Sequence, residues 1–250
     1  VGSDAAAISV SAVQDGEEWI LNGEKSWVTN GTDADLLSVY AQTDQSAGHR
    51  GIATFLVNAN TPGVVRSQAY ELIGGHGLGT NSITFENCRI SEEDLFLPPG
   101  ASFKAAMEGI DLARVLVSAM CCGMLRTALS TASSYVRNRE AFGARLADLQ
   151  GVRFKLADVA TNLEASRLLT YQAVQSLEDD RDASVQAAHA KKFSTRVTED
   201  GIASCMQVMG ANGARRDHPL PRHLAASRLT QYIDGATEIQ DVVISRSLLD

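Results

Sequence analysis

The chain has 250 residues, 44% of them hydrophobic, enough to bury a substantial core. Its 22 basic and 30 acidic residues leave a net charge of −8, which excludes nucleic acid as a general partner, because phosphate binding calls for a basic surface; a local basic pocket for one phosphorylated ligand stays open. The four cysteines (Cys88, Cys121, Cys122 and Cys205) form no CxxC pair, so reduced thiols and a cytoplasmic setting are expected, with no disulfide framework and no metal. No apolar run reads as long enough to span a membrane. The opening at Val1-Gly2-Ser3-Asp4, without a starting methionine, reads as a cut from a longer protein, so a targeting segment would lie outside it.

Up to about residue 97 the pattern is that of strands. Trp19-Ile20-Leu21 leads into Asn22-Gly23, a hairpin signal. Leu36 to Tyr40, Gly51 to Val57 and Ser82 to Phe85 are further strands, rich in apolar and β-branched residues. Turn clusters separate them at Asn30-Gly31, Ser46-Ala47-Gly48 and Thr61-Pro62-Gly63. Short strands of this kind predict a small antiparallel β-barrel or sandwich over residues 1–97. The glycines of Gly74-Gly75-His76-Gly77-Leu78-Gly79-Thr80 are not a dinucleotide fingerprint, since no helix opens after them and no βαβ unit surrounds them.

Pro98-Pro99-Gly100 ends the strand pattern. Beyond it the period becomes helical: Val152, Leu156, Val159 and Leu163 share one helix face. Similar stripes over roughly 101–137, 148–178, 184–210 and 222–248 predict an up-down four-helix bundle across 98–250, and the fold class is α+β in two domains. Glu178 to Asp182 reads as a solvated turn, and Gly210 to Gly213 followed by His218-Pro219-Leu220-Pro221 as a loop. The last stripe holds Tyr232-Ile233-Asp234-Gly235-Ala236-Thr237-Glu238-Ile239-Gln240. A glycine inside a helix costs about 1 kcal/mol relative to alanine. One reading is a break in the helix that holds Asp234 toward a substrate as a general base. The other is a capping glycine, with Asp234 in water.

A β-domain followed by a four-helix domain, with these motifs in this order, resembles the acyl-CoA dehydrogenase family of flavoproteins. The similarity covers the whole chain, which looks like the family's middle and C-terminal domains without its N-terminal helical domain. The resemblance implies roles for individual residues. Gly2-Ser3-Asp4 matches the end of a loop that contacts flavin and substrate, which gives Ser3 both roles. Trp27-Val28-Thr29-Asn30 matches the segment beside the flavin ring, with the Thr29 hydroxyl near flavin N5. Asp111-Leu112-Ala113-Arg114 matches the first bundle helix where it passes the acyl thioester, so Asp111 and Arg114 are substrate-site candidates. Arg139-Glu140-Ala141-Phe142-Gly143 and Gln150 match a segment that reaches FAD across a subunit interface, where a guanidinium suits a diphosphate. Gln207-Val208-Met209-Gly210-Ala211 resembles a contact to the adenine half of a neighbouring FAD; Gln207, Gly210 and Ala211 are the candidates.

Asp234-Gly235 then falls where the family carries a catalytic glutamate-glycine, and Ala236-Thr237-Glu238 where a turn contacts the flavin. The implied reaction is α,β-dehydrogenation of a thioester. Asp234 removes the α proton and the β-carbon delivers hydride to flavin N5, while Gly235 borders the substrate. The departures point to a specialised branch: aspartate is one methylene shorter than glutamate, and Ala141, Ala211, Ala236 and Glu238 stand where many relatives have threonine, glycine, threonine and glutamine. Three readings stay open. The first is a dehydrogenase acting on acyl groups carried by CoA or by an acyl carrier protein, hydroxylated units for polyketide extension included. The second is a nitroalkane-oxidase-like flavin oxidase, which shares the aspartate base. The third is a non-catalytic subunit of a flavoprotein complex. The implied cofactor is FAD, reoxidised by an electron-transfer flavoprotein or oxygen, in a homodimer or homotetramer that contacts neither membrane nor nucleic acid.

Overall fold

The computed structural model describes residues 2–249, which divide into two compact units, 2–108 and 109–249. In the first unit, β1 (Ser11–Asp15) and β2 (Glu18–Val28) form an antiparallel hairpin. They are followed by β3 (Leu36–Gln42), β4 (Ile52–Asn58), β5 (Val64–Arg66), β6 (Asn81–Ser91) and β7 (Leu95–Leu97). All seven lie in one sheet of order β5-β6-β2-β1-β3-β4-β7. Every pairing is antiparallel except β1 with β3, which meet in parallel register at Ser11 and Gln42.

The hairpin expected at Asn22-Gly23 lies elsewhere. β2 runs straight through that dipeptide, and the chain turns instead at Gly16, whose φ is +67°. The register of β2 against β6 shifts between Leu21 and Gly23, so the positive φ of Gly23 (+124°) serves a bulge rather than a turn. Asn22 completes that bulge by accepting the Asn87 amide on its Oδ1 at 2.8 Å. The core beneath the sheet gathers the alternate residues Leu21, Leu37, Val39, Phe55, Val57, Ile83 and Phe85. Trp19 packs edge-on against Phe55 and satisfies its indole N–H on Glu92. The glycine-rich loop contains a single 3₁₀ turn, His76–Leu78, and runs directly into β6, consistent with the rejection of a dinucleotide fold.

The second unit is helical. α1 (Ser102–Asn138), in which the division between units falls, leads through a two-stranded ribbon, β8 (Glu140–Ala141) and β9 (Ala144–Arg145), to α2 (Gln150–Glu178) and α3 (Ser184–Val208). The fourth expected helix is two pieces: α4 (Leu220–Thr230) and α5 (Thr237–Leu249). Residues 231–236 break it at the point where Asp234-Gly235 stands.

The expectation that no apolar run could span a membrane needs correcting, because α1 is long and apolar enough by length and composition. Its apolar face is instead built into the bundle: Val117, Cys121, Leu125, Ala128 and Ala132 recur at helical spacing and are buried with Val159, Leu163, Ile202 and Cys205. Cys121 is fully buried and Cys122 only partly so, as their adjacency on a helix requires; all four thiols are free.

Candidate functional site in the helical unit

The interrupted fourth helix sets the site. Asp234 has φ +52° and Gly235 φ +90°, two consecutive left-handed residues that no α-helix accommodates. A side chain on Gly235 would sit 3.1 Å from the Gln240 amide nitrogen and 3.4 Å from the Arg114 guanidinium, in addition to the backbone strain. Left-handed conformation is uncommon for a residue other than glycine, and it marks a place where surrounding structure dictates the backbone.

That structure comes from three helices. Arg114, buried on α1, donates from Nε to the Asp234 carbonyl at 3.2 Å and from a terminal nitrogen to Asp111 Oδ1 at 2.8 Å. Lys191, on α3 and fully buried, donates from Nζ to the Gly235 carbonyl at 2.7 Å. Gln240, fully buried on α5, donates to that same carbonyl at 2.9 Å. Two successive carbonyls are thus tied by three side chains from α1, α3 and α5. The Asp234 carboxylate itself makes no hydrogen bond among the described residues, and neither do the backbone N–H groups of Asp234 and Gly235.

Burial is the main influence on the titrating groups. It raises the Asp234 carboxyl above the ordinary carboxylate value, and the positive charges of Lys191 and Arg114 offset part of the rise. Burial lowers the Lys191 ammonium to about 8; Asp234 and the Cys121 thiol draw it upward, and Arg114 presses it further down. A partly desolvated carboxylate without a hydrogen-bond partner, beside two cations, is chemically able to take a proton from a carbon acid.

Of the remaining candidates, Ala236, Thr237 and Glu238 directly continue this segment, and the others lie apart from it in sequence. Thr237 opens α5, and exposed Glu238 occupies its first turn, where a carboxylate complements the helix dipole; the Ala236 carbonyl accepts the Ile239 amide at 2.9 Å. Arg139 follows α1, and Phe142 caps the β8–β9 ribbon with φ +57° and 95% of its surface exposed. Gln150 is the first residue of α2, exposed, and Gln207 is exposed at the last turn of α3. Gly210, at φ +59°, and Ala211 begin a 3₁₀ turn. No hydrogen bond or ion pair joins these side chains to Asp234 among the described residues. In the first unit, Ser3 is exposed, Val28 ends β2, and Thr29 is exposed just beyond it. Trp27 has φ +60°, is 64% exposed and leans on the Tyr70 ring at 4.7 Å. Sequence reasoning missed Lys191 and Gln240. The signal for Lys191 was present, since it falls on the stripe Ala187, Ala188, Ser194, Thr195 and Thr198, all buried.

The helical unit and the sheet unit, with this broken helix, define the class. Residues 100–249 match the family described as acyl-CoA dehydrogenase, C-terminal domain, and residues 1–88 match acyl-CoA dehydrogenase, middle domain. The chain belongs to the acyl-CoA dehydrogenase family. It is 38% identical over 248 residues to the human short-chain specific mitochondrial acyl-CoA dehydrogenase, a match that covers 99% of this chain and 60% of that protein. Its structure superposes on butyryl-CoA dehydrogenase from Megasphaera elsdenii with a TM-score of 0.96 at 32% identity, and on the prolyl acyl carrier protein oxidase AnaB with 0.96 at 28%. Each of those matches covers 100% of this chain and 66% of the neighbour. The chain thus spans about three fifths of the length of the curated relative it matches.

Proposed function

We propose that the chain supplies the base and the flavin contacts of an FAD-dependent dehydrogenase acting on an acyl thioester. The observation that carries this is Asp234: a partly desolvated carboxylate with no hydrogen bond among the described residues, its own carbonyl tied by Arg114 and the next one, on Gly235, by Lys191 and Gln240. The residues available to FAD suit it chemically. Arg139 has no ion pair among the described residues, and, three residues on, Phe142 displays a 95% exposed ring, with Gln150 and Gln207 also exposed. A free guanidinium and a bare ring fit a diphosphate and a flat heterocycle. Bound FAD would supply, at N5, the acceptor for the hydride leaving the β-carbon.

The chain's own residues do the rest. The Asp234 carboxylate takes the α proton, and the electron pair of that C–H bond moves into the thioester as enolate character. The Asp234 N–H, which has no hydrogen-bond partner among the described residues, is a donor for the thioester oxygen as that charge develops. As the β C–H bond breaks, its electron pair leaves with the hydride and the enolate closes to the α,β-double bond. Arg114 and Lys191 keep the 234–235 backbone from relaxing when the carboxylate gains its proton. Phe142, 95% exposed on a ribbon tip, favours an assembly in which a second copy or the cofactor covers it.

A positioned base contributes about 10²–10⁴-fold to turnover. Asp234→Asn is therefore expected to keep its FAD and to lose at least about a hundredfold in steady-state thioester oxidation. Turnover equal to wild type would remove Asp234 from the mechanism.

The likeness to an acyl carrier protein oxidase favours a second, narrower reading, in which the thioester is carrier-bound. Its test is the rate at which the flavin is bleached. Faster bleaching by an acyl-carrier protein than by the matching acyl-CoA supports it; the reverse order dismisses it.

A further inference from the structure

We propose that Lys191 is a positioning residue for the catalytic segment: its ammonium fixes the Gly235 carbonyl and serves as the counter-charge that keeps Asp234 ionised. This role rests on reading Asp234 as the base, but its observations are separate. A lysine that is fully buried loses its hydration and much of its rotamer freedom, so its neighbours must compensate. Among the described residues the ammonium makes one hydrogen bond, to the Gly235 carbonyl at 2.7 Å. Gln240 grips the same oxygen, so an uncharged donor already satisfies that carbonyl. The second donor adds charge as well as a hydrogen bond.

The groups that act on Lys191 come from α1, the 231–236 segment and α5. From α1 come Arg114, with Asp111 bound to it, and the Cys121 thiol, which burial pushes up to about 11. From the 231–236 segment comes Asp234, and from α5 the uncharged Gln240. Its neighbour on α3, Lys192, turns outward to Asp241. Asp111 already neutralises Arg114 at 2.8 Å. Lys191 is therefore the cation near Asp234 whose charge no paired carboxylate cancels among the described residues. An opposite charge at close range lowers a carboxyl by about one to three units.

The test uses the complete, FAD-loaded gene product with ¹³Cγ-labelled aspartate. The Asp234 resonance is assigned by its loss in Asp234→Asn, then titrated. In Lys191→Met the midpoint is expected to rise by about one unit or more, and flavin bleaching on the acid limb to fall about tenfold per unit of that rise. Lys191→Arg, which keeps the charge, is expected to restore most of the midpoint. An unmoved midpoint in a folded Lys191→Met protein overturns the proposal, even if thermal stability drops, because packing alone would explain that drop. Should neither variant fold, wild type decides: the Asp234 resonance must show a second inflection where Lys191 loses its proton, and a single inflection overturns the proposal. If Asp234→Asn turns over normally while the midpoint still moves, the base reading fails and the hold of Lys191 on Asp234 stands.

Discussion

Asp234 and Lys191 make opposite demands on their surroundings, and both run against stability. A carboxyl raised on folding contributes stability fully present below its unfolded value of 3.8 and lost as pH rises through the folded value. At neutral pH its ionisation therefore costs stability, and Asp234→Asn is expected to unfold at equal or higher urea concentration than wild type at pH 7, but not at pH 3. Lys191, lowered to about 8 from 10.5, gives the alkaline counterpart. Between those values the unfolded chain holds a proton that the folded one has released, so stability rises with pH across that window. Subtracting the urea curve of Lys191→Met from that of wild type should isolate the rise; a flat difference from pH 8 to 10 would contradict it. The carboxylate became a candidate through the family resemblance, because the aspartate-glycine pair alone reads equally well as a capping glycine with its carboxylate in water. The lysine was not read, because Lys191-Lys192 looks like a solvated charge pair until one notes that position 191 alone sits on the alanine-serine-threonine stripe. Burial of a charge becomes visible only when three helices are packed around it.

At the scale of elements, helix extents were readable from periodicity, and the break at 231–236 from the glycine it contains. The hairpin was not. Asn-Gly and Asp-Gly supply the same positive φ, and which becomes turn or bulge depends on β6, a partner about 65 residues away in sequence, whose Asn87 amide claims Asn22. Two substitutions test how the elements hold the site. Leu125 is fully buried at the centre of α1, and Leu125→Ala should cost about 2–5 kcal/mol in chemical unfolding. Gly235→Ala must adopt φ +90° and push against Gln240 and Arg114. We expect it to cost only about 1–3 kcal/mol of stability but to impair turnover far more, because it moves the carboxylate it adjoins. A variant as active as wild type would show that the segment's strained path is incidental.

For the whole molecule, the two domains and their order were legible because strand and helix periods change at Pro98-Pro99-Gly100. What assembles around them was not, since exposed groups such as Phe142 and Arg139 acquire meaning only from what covers them. If Phe142 meets FAD or a second copy, Phe142→Ala should leave the unfolding of each domain unchanged and lower FAD retention on gel filtration; undiminished retention would free this ribbon from that role. That Asp234 draws a proton from a thioester, so that its β-hydride can leave to flavin, is tested most directly by an anaerobic visible spectrum. The complete gene product is recorded before and after a saturating acyl thioester is added. Flavin bands that bleach in wild type and persist in Asp234→Asn, at equal FAD content, are the expected result. Bleaching of equal rate and extent in the two proteins, or a wild-type protein that remains colourless with added FAD, would contradict it.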